Sequence, residues 1–473
     1  MIAADSGSVS ADGLGVPYIW EMGMRMRGKK YLFGVLSLLV LAFAVAACGG
    51  GGSSTGGSSS GGSTSGGSTA EAGGEEVSGK ITVWDNEYEA FPEYTKVAKE
   101  LDAEFEKLNP EVTIDHVAEP FEGYEALLQA AFTSREGPDV IQMLPGNFQT
   151  LHWAKALEPL NDLISEETQE QMTGWNLVTP EYAEEGERFG VPIGIGGLVF
   201  YYNKKLFAKA GLPTTFEPKT WDDIIKAGEK LKAAGIQPFT GGDGGEASES
   251  TWLWSYGWST VNTPEQATEL SKGEIDFTDP VVAKAFEPAM KMQEAGLYPD
   301  DRFSIPFFSE GGERFGKGEG AMAIGLRSVT AYYGEYNETL GEKNVGMFLP
   351  PGGYPLVEAE FAWTIPKFVA NKEAAVAYVN FLADKGGVEA LTQRAGLLPN
   401  RKDVSLPADA PVQEKQLLEW SRQPQEYPYP HGQLPQPVGE AIGKEFAQVL
   451  QNRISLSDAQ ASVQETIEKT STE

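Results

Sequence analysis

The chain has 473 residues, a formal net charge of −31 at neutral pH, one cysteine and three histidines. Affinity for nucleic acid comes largely from cationic side chains that neutralise phosphates, so this acidic balance argues against a nucleic-acid partner. A lone cysteine cannot form an intrachain disulfide, and the scattered His116, His152 and His431 make no Cys/His metal cluster. We therefore expect no metal and no cofactor.

Residues 24–47 have the layout of a secretory signal peptide. Four basic residues at 25–30 precede the apolar stretch Tyr31–Ala44, and small residues lead to Cys48. The end of this segment, Val45–Cys48, resembles a bacterial lipobox, in which the cysteine is lipidated and becomes the first mature residue. A single transmembrane helix is the alternative, although the apolar stretch is at the short limit for a span. Residues 1–23 fit no part of a signal, and we expect them to lie outside the native product.

Residues 48–79 form a linker that is rich in glycine, serine and threonine. This composition cannot bury a core and behaves as a flexible coil, whose ends lie roughly 30 Å apart at this length. The remaining chain, from Lys80 onwards, exceeds what one hydrophobic core usually supports. Two domains are therefore expected after the linker.

Strands and helices alternate from Lys80. The predicted elements are a strand at 81–84, a helix at 94–108, a strand at 112–114, a helix at 124–133 and a strand at 139–143. This order predicts a parallel sheet with helices on its faces. A second α/β set follows, with helices predicted at 221–234 behind the cap Thr220, after the cap Asn371, at 438–450, and after a capping box formed by Ser457 and Gln460.

Three stretches together resemble one protein family. They are the 81–84 strand with Gly137–Ile141, the run Gly190–Pro192 with Tyr201–Phe207 and Lys219–Asp223, and Phe315–Met322. With the lipobox, their order and spacing resemble the extracellular solute-binding proteins of ABC importers, in the carbohydrate-binding branch that includes maltose-binding protein. The resemblance covers nearly everything from Lys80 to the C-terminus. It implies a non-enzymatic receptor that captures a sugar and delivers it to the permease subunits of an ABC transporter.

The resemblance also implies an α/β fold of two hinge-linked lobes, each a mainly parallel sheet with helices on both faces. The expected division is lobe 1 at 80–192 and 326–366, lobe 2 at 198–322 and 367–473, and hinge segments at 193–197 and 323–327. Glycines in the first hinge segment tolerate the φ/ψ changes of closure, although a plain glycine-rich loop is the alternative. The lipobox implies a palmitate-bearing protein anchored through Cys48 on the outer face of the cytoplasmic membrane, which is periplasmic if an outer membrane exists. We also expect a monomer.

Candidate ligand contacts in the first lobe follow the opening strand. Open α/β sheets bind ligands at the carboxyl ends of their strands, where Trp84, Asn86 and Glu87 lie. Asn86 and Glu87 are expected to bind sugar hydroxyls, and Asn147 is expected on the same rim. Trp84 either stacks on the sugar or packs in the core.

The other candidate contacts come from later segments. The family resemblance implies ligand contacts for Glu249, Trp252 and Trp254, although both tryptophans could instead pack the second lobe. Where the family commonly has tryptophan, this chain has Arg327, whose guanidinium could bind hydroxyls or a carboxylate unless it is a surface residue. Glu360 and Trp363 stand where a glycine-rich crossing is usual, and we expect them to contact the solute.

Two other functions stay open. The same fold could bind an anionic or non-sugar solute, such as a sugar acid, a phosphate ester or a polyamine, and Arg327 is the feature that would favour an anion. A secreted glycoside hydrolase is a further alternative, since such enzymes use paired carboxylates about 5–9.5 Å apart.

Overall fold

The computed structural model describes residues 77–89, 91–120, 123–149, 155–180, 183–184, 186–244, 248–326, 332–351, 356–422 and 427–470. The signal peptide, Cys48, His152 and Arg327 lie outside these ranges. All described residues belong to one compact unit, Gly73–Glu473. Across these ranges, no helix combines the length and the apolar character that crossing a bilayer requires.

Nine strands in the described ranges form two sheets. They are β1 Gly79–Asp85, β2 Val112–Ala118, β3 Val140–Met143, β4 Val191–Gly196, β5 Leu198–Asn203, β6 Met322–Leu326, β7 Val345–Phe348, β8 Leu356–Thr364 and β9 Tyr427–Pro428. The first sheet has the order β2-β1-β3-β8-β4, with β9 beside β8, and the second has the order β6-β5-β7.

The strand directions differ in part from the expected mainly parallel sheets. The β1 strand pairs parallel with β2 and β3, as the strand–helix alternation predicts. The β8 strand is antiparallel to β3 and β4, and both pairings of the second sheet are antiparallel. The prediction of a mainly parallel sheet was therefore wrong for the second sheet. There β6 and β7 both lie antiparallel to β5, whereas strand–helix–strand crossovers would make neighbouring strands parallel.

The described α-helices lie around these sheets. They are α1 Pro92–Leu108, α2 Tyr124–Ser134, α3 Glu166–Gln171, α4 Lys204–Lys209, α5 Trp221–Ala233, α6 Glu249–Val261, α7 Pro264–Ser271, α8 Pro280–Glu294, α9 Gly312–Gly316, α10 Tyr332–Tyr336, α11 Lys372–Ala383, α12 Lys385–Ala390, α13 Val412–Ser421, α14 Gln436–Leu450 and α15 Leu456–Thr470. Short 3-10 segments include Pro145–Gln149 after β3 and Pro430–Gln433 before α14.

Two predicted helix caps are confirmed. The side chain of Thr220 accepts the N–H of Asp223, whose carboxylate accepts the N–H of Thr220 in return, which makes a capping box at α5. The side chain of Asn371 accepts the N–H of Ala374 at the start of α11. Local sequence was sufficient here because a cap depends only on residues within one turn.

The predicted cap of the last helix was wrong by two residues. The helix begins at Leu456, and Ser455 Oγ accepts the N–H of Asp458 at 3.1 Å. Gln460, which was expected to close a capping box with Ser457, instead donates its side-chain amide to the carbonyl of Phe277 at 2.8 Å. A tertiary contact therefore uses the side chain that the local pattern assigned to a cap.

Each sheet has its own cluster of buried apolar side chains. The first-sheet cluster joins β1 to α1 and α11, and the second-sheet cluster joins β5 and β6 to α5, α6, α8, α14 and α15. A third cluster contains side chains of both sheets, including Ile141 of β3 and Tyr201 of β5. Burial of these apolar surfaces is the main stabilising contribution to the fold.

Two segments pack differently from the expected lobe division. Helix α11, placed by sequence in lobe 2, packs in the first-sheet cluster through Tyr378 and Val379. Strand β7, placed by sequence in lobe 1, pairs with β5 in the second sheet. Both assignments depended on where the chain crosses between sheets, which local patterns do not reveal.

The first expected hinge segment coincides with a crossing between the sheets. Strand β4 of the first sheet and strand β5 of the second are separated by one residue, Gly197, which has a φ of 120° that favours glycine. In the second expected hinge segment, residues 323–326 lie within β6 and pair with β5. That part of the segment is therefore a strand of the second sheet.

Close packing of α6 on α8 gives a test of the fold. A Cβ added to Gly257 would lie 1.7 Å from the carbonyl oxygen of Ala285, so Gly257→Ala must push the helices apart. We expect this overpacking to cost about 1–3 kcal/mol in the free energy of unfolding, measured by denaturant titration. Gly334→Ala in α10 is the control, because its added Cβ meets nothing within 4 Å. Equal stability of the two variants would contradict the packing.

Candidate functional site

A tight turn follows β1 and carries two of the predicted ligand contacts. We call Asp85–Tyr88 the β1 turn. Asp85 Oδ1 accepts the N–H groups of Glu87 and Tyr88 at 2.8 and 3.1 Å. The N–H of Asn86 donates to Oε1 of Gln142 on β3 at 3.2 Å. Hydrogen bonds to Asp85 and to Gln142 thus hold the β1 turn at the carboxyl ends of the parallel strands β1 and β3. This is the position that the sequence predicted for Asn86 and Glu87.

Three buried polar atoms lie at these strand ends without a hydrogen-bond partner in the described ranges. They are Oδ1 of Asn86, Nε2 of Gln142 and Nε1 of Trp363. Gln142 and Trp363 are paired residues of β3 and β8, and Asn86 is bonded to Gln142 through its backbone. A buried polar group that lacks a partner costs about 1–3 kcal/mol, so these atoms favour a ligand that both donates and accepts hydrogen bonds.

Two predicted carboxyl groups lie close enough to interact. Burial raises the pKa of Glu87 well above its ordinary value, and the negative charges of Glu360 and Asp85 raise it further. Because Glu87 resists ionisation, it can donate a hydrogen bond, while Glu360 can accept one.

Glycines on β4 make room for the Glu360 side chain. A Cβ added to Gly196 would lie 2.5 Å from Oε2 of Glu360, and one added to Gly194 would lie 3.2 Å from its Cβ. Gly194 also has a φ of 70°, which favours glycine. The glycine run read from the sequence as a hinge therefore also accommodates a carboxylate of β8.

Trp84 and Asn147, the two other candidate contacts predicted for the first lobe, both pack against neighbouring parts of the protein. Trp84 is half-buried against the third apolar cluster, and its indole lies 3.8 Å from a Cβ added to Gly137. This placement favours the core alternative for Trp84. Asn147 is buried in the segment Pro145–Gln149, and its Oδ1 accepts the N–H of Leu144 at 2.9 Å. That oxygen therefore stabilises its own turn.

Glu249, predicted as a second-lobe ligand contact, is the first residue of α6 on the second-sheet side, and that role stays a prediction. It is fully buried, accepts the hydroxyl of Tyr298 at 3.1 Å, and lies 3.8 Å from the guanidinium of Arg302. Arg302 also pairs with the buried Asp243 at 2.6 Å. Burial raises the pKa of Glu249 to about 8, against the attraction of Arg302. Glu249 thus belongs to an enclosed polar cluster of the second-sheet side.

The two tryptophans of α6 have different surroundings. Trp254 is fully buried and packs on Trp258 and Phe446 in the second-sheet cluster, so the core alternative holds for it. Trp252 is half-buried, with the rings of Tyr429 and His431 edge-on at 4.9 and 4.3 Å. Trp252 therefore stays a candidate contact, whereas Trp254 is withdrawn.

Sequence reasoning missed Gln142. The available signal was a polar residue within the apolar strand predicted at 139–143, because a side-chain amide inside a buried strand needs a partner.

Arg327 lies outside the described residues. In the described ranges, no group of three or more His, Cys, Asp or Glu side chains is placed to hold a metal.

A surface cavity of about 550 Å³ lies beside α5, and its lining shares no residue with the β1 turn or β8. Its charged lining residues include Lys226 and Lys230 but also Glu217 and Asp223. None of its described lining residues has a buried side-chain polar atom without a hydrogen-bond partner, and we assign the cavity no ligand.

Relatives of known sequence share much of the chain. An uncharacterized ABC transporter extracellular-binding protein of Pyrococcus horikoshii is 25% identical over 408 residues, which are 83% of this chain and 85% of that protein. The sn-glycerol-3-phosphate-binding periplasmic protein UgpB of Shigella flexneri is 27% identical over 256 residues, 51% of this chain and 56% of that protein. The multiple sugar-binding protein of Streptococcus mutans is 30% identical over 161 residues, 31% of this chain and 35% of that protein.

Solved structures share the fold. A chitin oligosaccharide binding protein has a TM-score of 0.71 at 22% identity, covering 84% of this chain and 100% of the other. The GacH receptor of Streptomyces glaucescens has a TM-score of 0.65 at 20% identity, covering 84% of this chain and 99% of the other. These likenesses confirm the two-lobed α/β class. The sequence-family model of the bacterial extracellular solute-binding proteins matches residues 86–389, which are more than half of the chain. The chain therefore belongs to that family.

Proposed function

We propose that this solute-binding protein captures a neutral sugar or oligosaccharide and delivers it to an ABC permease. The observation that carries the sugar assignment is the group of unpartnered buried atoms on Asn86, Gln142 and Trp363, beside the carboxyl groups of Glu87 and Glu360. Each sugar hydroxyl both donates and accepts hydrogen bonds, so a polyol can satisfy this mixture of donors and acceptors.

The charges at the strand ends favour a neutral solute over an anion. Burial raises the pKa of Glu87, and the negative charges of the nearby Glu360 and Asp85 raise it further. A phosphate ester or sugar acid placed there would add a further negative charge. The anionic alternative thus depends on Arg327, and the partial similarity to the glycerol-phosphate-binding protein is its other support.

Names of related proteins support a carbohydrate. Structural neighbours include a chitin oligosaccharide binding protein and a solute-binding protein in complex with raffinose. A cationic polyamine would also be attracted by carboxylates, but it offers no acceptor for the donors of Gln142 and Trp363. The hydrolase alternative requires a carboxylic acid and a carboxylate on either side of the scissile bond. Incubation of the protein with an oligosaccharide that it binds, followed by analysis of the products, tests this alternative.

We propose that capture involves closure of the two lobes about Gly197. In this proposal lobe 1 contains the first sheet with α1, α2 and α11, and lobe 2 contains the second sheet with α5, α6, α8, α14 and α15. The single-residue connection between β4 and β5 supports a hinge there, because glycine accepts a wide range of φ/ψ values. Trp252 on α6 is the second-lobe contact that we retain.

We also propose that the mature protein is a monomer held at the membrane through lipid on Cys48. The support is the lipobox-like Val45–Cys48 and the Gly/Ser linker that follows it. A single acyl chain binds membranes only marginally, so lasting attachment needs more than one chain. The linker then gives the folded part a reach of roughly 30 Å from its anchor.

Substitution of Glu87 tests the sugar site. The wild type is titrated calorimetrically with chitin oligosaccharides, maltose and raffinose, and with sn-glycerol 3-phosphate and putrescine as rivals. For the tightest sugar we expect Glu87→Ala to raise Kd about 10- to 100-fold, because a buried hydrogen bond is lost. Glu87→Gln keeps a neutral donor and should change Kd by less than about threefold.

The control for this series is Glu229→Ala, which removes an exposed carboxylate of α5 and should leave Kd unchanged. The sugar assignment is wrong if the wild type binds none of the carbohydrates. It is also wrong if sn-glycerol 3-phosphate binds tightest and Arg327→Ala abolishes that binding.

Replacement of Cys48 tests the lipid anchor. The full chain, expressed in a bacterium that lipidates its own lipoproteins, should partition into the detergent phase of Triton X-114, because the acyl chains are apolar. Cys48→Ser should move it to the aqueous phase and remove the lipid mass from the N-terminal peptide. A wild type that stays aqueous and carries no added mass would contradict the anchor.

A further inference from the structure

A chain of buried hydrogen bonds lies behind the β1 turn. Asp85 Oδ2 accepts the hydroxyl of Tyr94 at 2.6 Å and lies 3.2 Å from Nε2 of His116. The other ring nitrogen of His116, Nδ1, lies 2.9 Å from Oδ2 of Asp102, and Tyr378 donates its hydroxyl to Oδ1 of Asp102. These bonds connect α1, α11 and β2 to the end of β1.

The imidazole of His116 also contacts the far end of the β1 turn. Its ring stacks on Tyr88 with centroids 4.0 Å apart and planes inclined by 9°. On Tyr88 itself, the ammonium of Lys99 lies 5.4 Å from the ring centroid. The His116 ring therefore contacts both ends of the β1 turn, namely the carboxylate of Asp85 and the ring of Tyr88.

We propose that Asp102, His116 and Asp85 form a positioning relay for the β1 turn, through which His116 sets solute affinity without touching the solute. The remaining oxygen of Asp85 holds the N–H groups of Glu87 and Tyr88. A change in the orientation of Asp85 is therefore passed directly to Asn86 and Glu87. This inference rests on the proposed function, because affinity at that turn is what the relay adjusts.

The relay makes affinity depend on pH. The titratable groups around the imidazole, directly or through one hydrogen-bonded partner, are Asp85, Tyr88, Tyr94, Lys99, Asp102 and Tyr378, while the indole of Trp363 lies edge-on at 6.4 Å. Burial disfavours the imidazolium, but hydrogen bonds and charges of Asp102 and Asp85 outweigh it and raise the pKa of His116 to about 9.

Protonation then fixes the sign of the pH effect. Up to about pH 9 both ring nitrogens donate to carboxylates, and above it one donor is lost. Burial and neighbouring carboxylates raise the pKa of Tyr88 to about 12, so its ring stays neutral over this range. The stability that the imidazolium supplies is complete below its ordinary pKa of 6.5 and is lost as the pH rises through 9.

The test measures Kd by calorimetry from pH 6.5 to 10 with the sugar that the wild type binds tightest. We expect wild-type affinity to fall above about pH 9. His116→Ala should bind about tenfold more weakly at pH 7 and should lose the alkaline break, and His116→Gln, which keeps one donor, should recover part of the affinity. Asp102→Asn should move the break to lower pH, because the imidazolium loses a stabilising charge.

Asp115→Asn is the matched control. Asp115 precedes His116 on β2, so its side chain points to the other face of the strand, where it pairs with the exposed Lys80 at 2.8 Å. This substitution should change neither Kd nor the pH of the break. A break that survives His116→Ala, or an equal shift in Asp115→Asn, overturns the relay.

Amide exchange of the solute-free protein separates the relay from the sugar assignment. In His116→Ala, exchange at Glu87 and Tyr88 should accelerate about tenfold or more, while the amides of β5 stay as protected as in the wild type. Unchanged exchange at the turn overturns the proposal whatever the protein binds. If the turn loosens but Kd does not change, the relay is equally wrong. If the turn loosens in His116→Ala but the wild type binds no carbohydrate, only the proposed function is contradicted.

Discussion

The buried carboxylate of Asp85 is the interaction on which the candidate site depends. It has no exposed surface and accepts hydrogen bonds from the backbone of Glu87 and Tyr88, from the hydroxyl of Tyr94 and from the His116 ring. A buried charge is tolerated only when such bonds replace its hydration. The same bonds fix the turn that presents Asn86 and Glu87, so the requirement to stabilise one charge also gives the site its shape.

The sheet arrangement supplies the rest of the site. Parallel β1 and β3 bring their carboxyl ends together, and antiparallel β8 places Trp363 beside Gln142 and Glu360 near Glu87. Because β8 and β4 adjoin and β4 continues through Gly197 into the second sheet, the strands that line the site also lead to the crossing between sheets. In the proposed function, β4 links the candidate site, through its hydrogen bonds to β8, with the connection at Gly197 about which we propose that the lobes close.

Local patterns predicted what local forces determine. The first strands and helices and the caps at Thr220 and Asn371 agree with the structure, since amphipathic periodicity and capping act within a few residues. The antiparallel second sheet and the packing of α11 were missed because they depend on contacts between distant segments. The contacts of Glu249 with Tyr298 and Arg302 were missed for the same reason, because both partners lie on another segment of the chain. The position of Asn86 and Glu87 could be predicted because ligand sites of open α/β sheets lie at the carboxyl ends of parallel strands, whereas their contact with a solute stays a prediction.

A crystal structure of the protein with the tightest-binding solute of the carbohydrate panel tests the central claim most directly. We predict a sugar with hydroxyl groups within hydrogen-bonding distance of Asn86 Oδ1, Gln142 Nε2 and Trp363 Nε1, and with Glu87 and Glu360 on either side of it. A solute bound elsewhere, such as in the cavity beside α5, with those three atoms bonded to protein or water, would contradict the account.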